Sequence, residues 1–226
     1  MAVSPVPYSP RALTRAERRS EDLYRFHSPK CGRIVEVTSC MAAAWALRCE
    51  FDSACTAYVE RPRTLTLTDE TVELSFWTRD RSGVEQTWLL VPNDTTVPGP
   101  DKRREHRHVR ALMTAAQNAS LVLNFVTEPD VHAQSARIGV AFQLLPLVQS
   151  ARRLVHRVSL REAVLAALSQ VKRTTLHQLQ QATAPFHAAD VRAMVADLIH
   201  AGEIELPPNA SLRPDLVLAE ASRHER

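Results

Sequence analysis

The sequence predicts an α/β fold of the α+β kind, in which a mixed sheet flanked by helices is followed by a smaller, mostly helical domain. Helical and strand patterns succeed one another over residues 39–154, in the order helix, three or four strands, helix, strand, helix. Residues 88–91 and 121–126 are apolar at successive positions, which is typical of strands buried on both faces. After residue 159 short helical patterns dominate. The 226 residues therefore predict two domains.

The N-terminal segment predicts an arm and a helix over residues 1–30. Residues 1–10 are rich in proline and lack the apolar core of a leader sequence. Ser9 and Pro10 can begin a helix, because serine caps helices and proline suits the first turn. The charged sequence that follows predicts that this helix runs to about Phe26, where HSPKCGR ends it.

The main domain is predicted over residues 31–154, and its first helix begins after Ser39, a residue type that caps helices. Met41, Ala44 and Trp45 lie on the apolar side of this helix, and Phe51-Asp52 ends it. Val72, Leu74 and Phe76 alternate with polar residues, which indicates a half-buried strand. The other predicted elements are strands at 54–60, 64–68, 84–91 and 121–126, a turn at 79–83, a loop at 92–100, a helix growing out of 101–110 to Ala119, a turn at 127–129, and a helix over 135–154 interrupted by Pro146.

The second domain is predicted over residues 155–220, followed by a loose tail at 221–226. Three short helical segments come first, and Thr174 or Thr175 caps the second of them. Ala201-Gly202 is a helix stop. Three helices followed by a two-stranded wing make a winged helix. The segments are 160–169, 175–182 and 188–201 for the helices, and 203–206 and 216–218 for the strands around a loop at 207–214.

Charge and composition narrow the classes of function. The formal net charge is +3 and the isoelectric point about 8.8, which permits a nucleic-acid partner without requiring one. The positive charge is nearly all arginine, which suits forked contacts to phosphate, although a GC-rich genome gives the same bias. The four cysteines have no CxxC spacing, so neither a zinc site nor a disulfide framework is expected. No apolar run approaches the ~20 residues of a membrane span, and we expect a cytoplasmic protein without a membrane partner.

Four short motifs in residues 30–63, and one further along, resemble the TnsA-like subunit of heteromeric transposases. They are Lys30-Cys31-Gly32-Arg33, Ser39-Cys40-Met41-Ala42, Cys49-Glu50-Phe51-Asp52, Tyr58-Val59-Glu60-Arg61-Pro62, and Phe125-Val126-Thr127-Glu128 with Asp130 and Val131. The resemblance covers about residues 30–220. It implies a restriction-endonuclease-like first domain, and a winged helix that contacts the ATPase regulator of the transposition complex.

The resemblance also implies where a metal site would lie, and this chain departs from the family there. The family's glutamate on the first core helix falls on Ala42, and its aspartate falls on Ser75. Its Glu-x-Lys segment falls on Leu90-Val91-Pro92, so Leu90 and Pro92 stand where the carboxylate and the lysine would be. Divalent cations in nucleases need oxygen ligands. We therefore expect no catalytic residue and no metal, with Mg²⁺ or Mn²⁺ bound only if ligands have moved to Glu73, Glu50, Asp52 or Glu85.

Several basic residues are candidates for DNA contact, although each could equally be a solvated surface residue. The candidates are Lys30, Arg33, Lys102, Arg103, Arg104, Arg107, Arg152, Arg153 and Arg157, with Arg18, Arg19 and Arg25 on the first predicted helix and Arg161 at the end of the stripe that begins at Arg152. His106 and His108 could form a metal pair, but no third ligand is evident. The third helix of the winged helix offers only Arg192 beside Asp190 and Asp197, which favours protein contact over major-groove reading.

The sequence therefore predicts a catalytically inactive, TnsA-like subunit that binds DNA, such as transposon ends, and assembles with a transposase subunit or the ATPase regulator of a mobile-element complex. One alternative is an active metal-dependent DNA endonuclease whose ligands have relocated. A second alternative is a winged-helix DNA-binding regulator with an accessory domain.

Overall fold

The computed structural model of the protein describes residues 5–20, 22–68, 70–99, 104–171, 173–205, 210 and 213–221, with Ser20 described for its backbone only. The chain forms two compact units. The first contains Met1–Cys49 and Ala54–Gln134, and the second contains Glu50–Ser53 and Ser135–Arg226. The units therefore divide at Gln134, whereas the domain boundary was predicted at residues 154–155.

The first unit contains the larger sheet and most of the strands. Its elements are α1 (Glu17–Ser20), β1 (Tyr24–Ser28), β2 (Arg33–Val37), α2 (Cys40–Phe51, whose last two residues belong to the second unit), β3 (Cys55–Glu60), β4 (Thr64–Thr66), β5 (Thr71–Glu73), β6 (Phe76–Asp80), β7 (Glu85–Val91), a 3₁₀ turn (Asn93–Thr95), β8 (Thr96–Pro98), β9 (Arg104–His106), α3 (Val109–Asn118), β10 (Leu123–Thr127) and α4 (Glu128–His132).

Four strands form the mixed sheet, in the order β10-β7-β6-β3. β3 pairs antiparallel with β6, and β6 with β7, whereas β10 runs parallel to β7. One face of β7 buries Leu89 and Val91 in an apolar cluster that includes Leu112 and Ala116 of α3. On the other face, Trp88 packs against Trp45 of α2, with ring centroids 5.0 Å apart. The prediction of a mixed sheet flanked by helices is therefore confirmed, and residues 88–91 lie in a central strand.

The predicted helix that runs from Ser9 to Phe26 is wrong. Among the described residues of this segment, only the four of α1 are helical, and the chain then forms β1, which pairs antiparallel with β2. Tyr24 and Phe26 alternate with polar residues, as they do in a strand. The segment that was interpreted as a helix end is the turn of this hairpin, where Gly32 takes the positive φ (64°) that glycine accommodates easily.

Two further predictions in the first unit are corrected by strand pairing. The strand predicted from Val72 to Phe76 divides at Leu74, so that β5 pairs with β4 while β6 joins the larger sheet. The predicted loop at 92–100 contains β8, which pairs with β9 in a segment that was expected to become helical. α3 consequently begins only at Val109. Both pairings depend on a partner segment elsewhere in the chain. The local pattern of one segment does not specify that partner.

The second unit is mostly helical. Its elements are the Glu50–Ser53 segment, α5 (Ser135–Ala151), α6 (Arg157–Gln170), β11 (Thr174–Thr175), α7 (Leu176–Ala182), α8 (Ala188–Ala201), β12 (Ile204–Glu205) and β13 (Val217–Glu220). The three short strands form an antiparallel sheet in the order β11-β13-β12. Thr175 caps α7 in a reciprocal capping box with Gln178, and Gly202 ends α8 in the left-handed conformation (φ 76°).

The three helices predicted after residue 159 are confirmed to within a few residues, and so is the pair of strands that follows them. β11 was not predicted, because a two-residue strand has no period to detect. Residues 206–209, 211–212 and 222–226 lie outside the described part of the chain, and with them most of the predicted wing loop and tail. No helix in the described ranges is long and apolar enough to cross a membrane.

Candidate functional site

Ser75 and Leu90, two of the positions at which the resemblance would place metal ligands, lie side by side at one edge of the larger sheet. The Ser75 amide donates a hydrogen bond to the carbonyl of Trp88 (2.9 Å), and the Leu90 amide donates to the Ser75 Oγ (2.9 Å). Ser75 stands in the crossing between β5 and β6, and Leu90 stands near the end of β7. The structure therefore brings these two residues together across neighbouring strands.

Ala42, the third position, lies in the first turn of α2 on the side that faces this sheet. Ser39 caps the helix, as predicted, by accepting a hydrogen bond from the Ala42 amide (3.0 Å). Ala42 and Trp45 are three residues apart and share a helix face, while Trp88 and Leu90 are two apart and share a strand face. Because Trp45 packs on Trp88, the face with Ala42 is turned toward the face with Leu90.

Neutral side chains occupy the positions that would need charge for metal chemistry. Ala42, Ser75 and Leu90 have no carboxylate, and Pro92 has no amine. Within the described ranges, no group of three or more histidine, cysteine, aspartate or glutamate side chains is arranged to hold a metal ion. The site as described presents a serine hydroxyl and apolar surface.

Glu73 and Glu85, two of the acidic residues considered as relocated ligands, are held by other partners. The two carboxylate oxygens of Glu73 accept from Arg11, with Nη2 2.9 Å from Oε2. Glu85 accepts from Arg79 (2.9 Å) and from the Trp77 indole (3.1 Å). Each contact lies within the first unit, and each fixes a carboxylate against a basic or polar neighbour instead of leaving it beside Ser75.

Glu50, another of the relocated candidates, is fully buried in the second unit. Its Oε1 lies 2.7 Å from the Nε2 of His200, and the Phe51 ring meets the His200 ring edge to face, with centroids 5.3 Å apart. These contacts identify Glu50 as part of a buried polar contact with α8. They give it no role at Ser75.

An aromatic pair and two unsatisfied donors occupy the sheet face beside α2, and these contacts were not predicted from the sequence. The Arg48 guanidinium lies 4.2 Å from the centre of the Trp45 ring, as a cation–π contact requires. Asn124 of β10 is in register with Trp88. Among the described residues, the buried Trp45 Nε1 and Asn124 Nδ2 have no hydrogen-bond acceptor. One signal in the sequence pointed to this face: Trp45 lies about one helical turn after Ala42, so the two residues share a side of α2.

Lys30 and Arg33, two of the candidates for DNA contact, make internal contacts in the first unit. The Lys30 ammonium donates to the carbonyls of Cys49 and Cys55, at 2.7 Å each. Arg33 makes a forked contact to the Glu60 carboxylate (2.6 and 2.7 Å), and that carboxylate is 2% exposed. In this structure both cations therefore stabilise the packing of the β1–β2 hairpin against β3.

The candidates near residue 104 lie in the β8–β9 hairpin. Arg104 donates to Thr96 Oγ1 (2.5 Å), and Arg107 donates to the carbonyl of Asp94 (2.8 Å). Lys102 and Arg103 are outside the described residues. DNA contact by this group remains a prediction.

His106 and His108 lie close together in the first unit, with ring centroids 5.9 Å apart. The Nδ1 of His106 accepts from the His108 amide (3.1 Å), so this nitrogen is already engaged. Glu70 lies beside the pair, with Oε1 3.6 Å from His108 Nε2. Burial, and next the neighbouring His108, lower the pKa of His106, which favours its neutral form.

The basic stripe at residues 152–161 is balanced by acidic residues of the second unit. Arg152 and Arg157 both contact the buried carboxylate of Asp197, at 3.6 and 2.7 Å, and Arg161 contacts Glu203 at 2.5 Å. Arg153 is exposed. In the first unit, Arg18 and Arg25 similarly share Glu36, at 2.9 and 3.3 Å. The stripe thus carries less uncompensated positive charge than its sequence suggests.

Comparison with known proteins adds no family assignment to this geometry. No protein-family model matches the chain, and no curated protein matches it.

α8 is buried over most of its length. Every residue from Ala193 to His200 is buried, and this stretch includes the polar Asp197 and His200. α5 packs along α8, and Phe51 contacts His200. Arg192 is exposed near the start of the helix. A helix that reads DNA must present one face to a groove, and α8 offers no such face between residues 193 and 200.

Proposed function

We propose that this protein is a non-catalytic, TnsA-like subunit that holds DNA and takes part in the assembly of a transposition or related mobile-element complex. The observation that carries the proposal is the adjacency of Ser75 and Leu90 opposite the Ala42 face of α2. Ser75 and Leu90, which were inferred separately from sequence motifs, are joined by a hydrogen bond, and Ala42 shares a helix face with Trp45, which packs on Trp88. None of the three residues has a carboxylate.

The order of elements in the first unit supports a restriction-endonuclease-like core. α2 precedes an antiparallel meander of β3, β6 and β7, and α3 then connects β7 to the parallel strand β10. The sequence pattern predicted the same order of helix, three or four strands, helix and strand for this domain. Because a fold by itself does not establish a function, the missing ligands have the greater weight in the proposal.

The second unit supports the winged-helix part of the proposal, and it favours protein contact over DNA reading. α6, β11, α7, α8, β12 and β13 follow one another in the order of a winged helix, and β13 pairs with both β11 and β12. The burial of α8 disfavours the alternative of a winged-helix DNA-binding regulator. The proposed partner of this unit is a protein, either the transposase subunit or the ATPase regulator.

The DNA-holding role is tested by fluorescence anisotropy of the full chain with a short duplex, across a salt series with EDTA present. We expect binding that needs no metal and that weakens steeply as salt rises, because phosphate contacts release counterions. Arg153→Gln should flatten the slope of log affinity against log salt by about 0.9, the value for one phosphate contact. Arg63→Gln, at an exposed position outside the predicted contacts, should leave the slope unchanged. Absence of binding at low salt would contradict the DNA-holding role.

The non-catalytic role is tested separately by incubating supercoiled plasmid with the protein and Mn²⁺. We expect no nicking above the level of a buffer control. Mn²⁺-dependent nicking that disappears in Glu73→Gln and persists in Glu70→Gln would overturn the proposal in favour of an endonuclease with relocated ligands.

A further inference from the structure

Two of the four cysteines, Cys49 and Cys55, face each other where α2 ends and β3 begins. Both are buried, at 3% and 9% exposure, and the Cys49 thiol is hydrogen-bonded to the Cys55 side chain. Both are free thiols in this structure. The proposed function does not use this contact.

Lys30 holds the two cysteine backbones close together. One ammonium nitrogen lies 2.7 Å from the Cys49 carbonyl oxygen and 2.7 Å from the Cys55 carbonyl oxygen. The two oxygens are therefore separated by no more than twice that distance. A disulfide forms without backbone movement only between cysteines whose Cα atoms are within ~7 Å, and this bridging contact favours such a geometry.

The other two cysteines lie elsewhere. Cys40 is the first residue of α2, nine residues before Cys49, which is about 13 Å along a helix. The Sγ of Cys31 contacts the carbonyl of Tyr58 (3.4 Å), three residues beyond Cys55 and about 10 Å along the strand. The contact between Cys49 and Cys55 is therefore specific to that pair.

We propose that Cys49 and Cys55 are a modification site, at which a peroxide-class oxidant converts the two thiols into an intramolecular disulfide. The proposal does not depend on the DNA-related function.

The reaction consumes one hydrogen peroxide and releases two waters. The Cys55 sulfur, the more exposed of the two, attacks one peroxide oxygen as the O–O bond breaks. The departing hydroxide takes up the thiol proton, which leaves a sulfenic acid and one water. The Cys49 sulfur then attacks the sulfenic sulfur as the S–O bond breaks, and the Cys49 proton joins the departing hydroxide. The thiols lose two electrons and two protons, and the peroxide oxygens are reduced.

Cys49 is not the thiol that the oxidant attacks first. Its hydrogen bond to Cys55, and next its burial, raise the pKa of the Cys49 thiol well above its usual value, so it stays protonated. A protonated, buried thiol resists the oxidant directly. It remains available beside the Cys55 sulfur once that sulfur has reacted.

The new bond would close the segment 50–54, which carries Glu50 and Phe51. Both residues contact His200 within the second unit. Fixing the two ends of this segment restricts the unfolded chain, so the oxidised protein should be the more heat-stable form.

Mass spectrometry of the full chain tests the proposal directly. The protein is treated with hydrogen peroxide, denatured, alkylated and digested with trypsin. Cleavage follows Arg48 and Arg63, because Arg61 precedes Pro62, so both cysteines fall in the peptide 49–63. We expect this peptide to lose two hydrogens and to take up no alkylating agent. Dithiothreitol should reverse both changes, and Cys40→Ser should behave like the unmodified sequence.

Two outcomes would overturn the proposal. One is a peptide 49–63 that carries two alkyl groups after peroxide treatment. The other is Cys55 oxidised to sulfinic acid while Cys49 stays alkylated. In Cys49→Ser we expect Cys55 to be trapped as a sulfenic acid by dimedone, whereas in the unmodified sequence the disulfide should outcompete dimedone. If Cys49→Ser does not fold, the proposal is decided by the unmodified protein, through the mass of peptide 49–63. The second readout is its melting temperature, which should rise by about 4 °C on oxidation.

Discussion

Glu60 on β3 is a carboxylate almost without access to water, and the forked contact from Arg33 is what compensates its charge. A buried charge that loses its partner is costly, because the remaining group is neither hydrated nor paired. We therefore predict that Arg33→Ala lowers the free energy of unfolding by about 3 kcal/mol. Urea denaturation followed by circular dichroism measures this change.

The matched control is Arg25→Ala in the same hairpin. Arg25 is 59% exposed and lies 3.3 Å from Glu36, so its pairing is screened by water. Its loss should cost under about 0.5 kcal/mol. Equal effects of the two substitutions would show that the burial of Glu60 does not set the strength of the Arg33 contact.

His106 gives the protein a pH dependence whose sign follows from its burial. Burial and the nearby His108 lower the folded pKa of His106 below the ordinary 6.5, while Glu70 opposes this shift. As pH falls through 6.5, the unfolded chain takes up a proton at this residue before the folded chain does. The contribution of His106 to stability is therefore present above pH 6.5 and decreases as the pH falls toward its folded pKa.

The measurement is the free energy of unfolding between pH 7.5 and 5.5, for the unmodified chain and for His106→Asn. The asparagine oxygen can still accept from the His108 amide. We expect the variant to lose less stability on acidification, since the other histidines contribute to both proteins alike. An identical pH dependence in the two proteins would contradict the assignment of this pKa shift.

At the level of single residues, the sequence indicated which positions to examine, but it did not predict which residues their side chains contact. It marked Ala42, Ser75 and Leu90 as replaced ligands, and the structure brings Ser75 and Leu90 together. It also proposed Lys30 and Arg33 as DNA contacts, although both make internal contacts here. A cation at the surface and a cation over a buried carboxylate look alike in sequence, because the partner comes from a distant strand.

Helices were predicted better than hairpins, because the signals that begin and end a helix are local. Ser39, Thr175 and Gly202 act as the caps that their residue types predicted. β1 was taken for helix and β9 for a helix start. The strand character of each segment depends on pairing, with β2 and with β8 respectively.

α2 is the element on which the candidate site depends, and its N-cap can be tested. We predict that Ser39→Ala destabilises the protein by about 1 kcal/mol, because the Ala42 amide loses its acceptor. Ser150→Ala is the control, since the Ser150 hydroxyl only donates back to the Pro146 carbonyl on an exposed face of α5. Thermal unfolding compares the two. A loss in Ser150→Ala as large as that in Ser39→Ala would show that the cap is not the cause.

At the scale of the whole molecule, the sequence predicted two parts, and the structure has two compact units with a different boundary. The predicted linker followed residue 154, whereas α5 belongs to the second unit. α5 carries six buried residues and packs along α8, and that packing partner was not evident from the pattern of α5 alone. α5 therefore covers part of α8.

The placement of Ala42, Ser75 and Leu90 in the first unit can be tested by substitution. If these three residues surround one point, giving each of them a carboxylate should create a cation site, because clustered oxygens bind Mn²⁺. We predict that Ala42→Glu, Ser75→Asp and Leu90→Glu together give Mn²⁺ binding detectable by calorimetry, tighter than Ser75→Asp with Leu90→Glu alone.

The control for this experiment adds the same number of acids at separated, exposed positions, with Leu23→Glu, Met113→Glu and Ser150→Asp. If the triple variant binds Mn²⁺ no better than this control, the three positions do not form one site. If the double variant binds as tightly as the triple variant, Ala42 is turned away from Leu90. The comparison thus separates the pairing of Ser75 with Leu90, which rests on a hydrogen bond, from the placement of Ala42, which rests on the packing of Trp45 against Trp88.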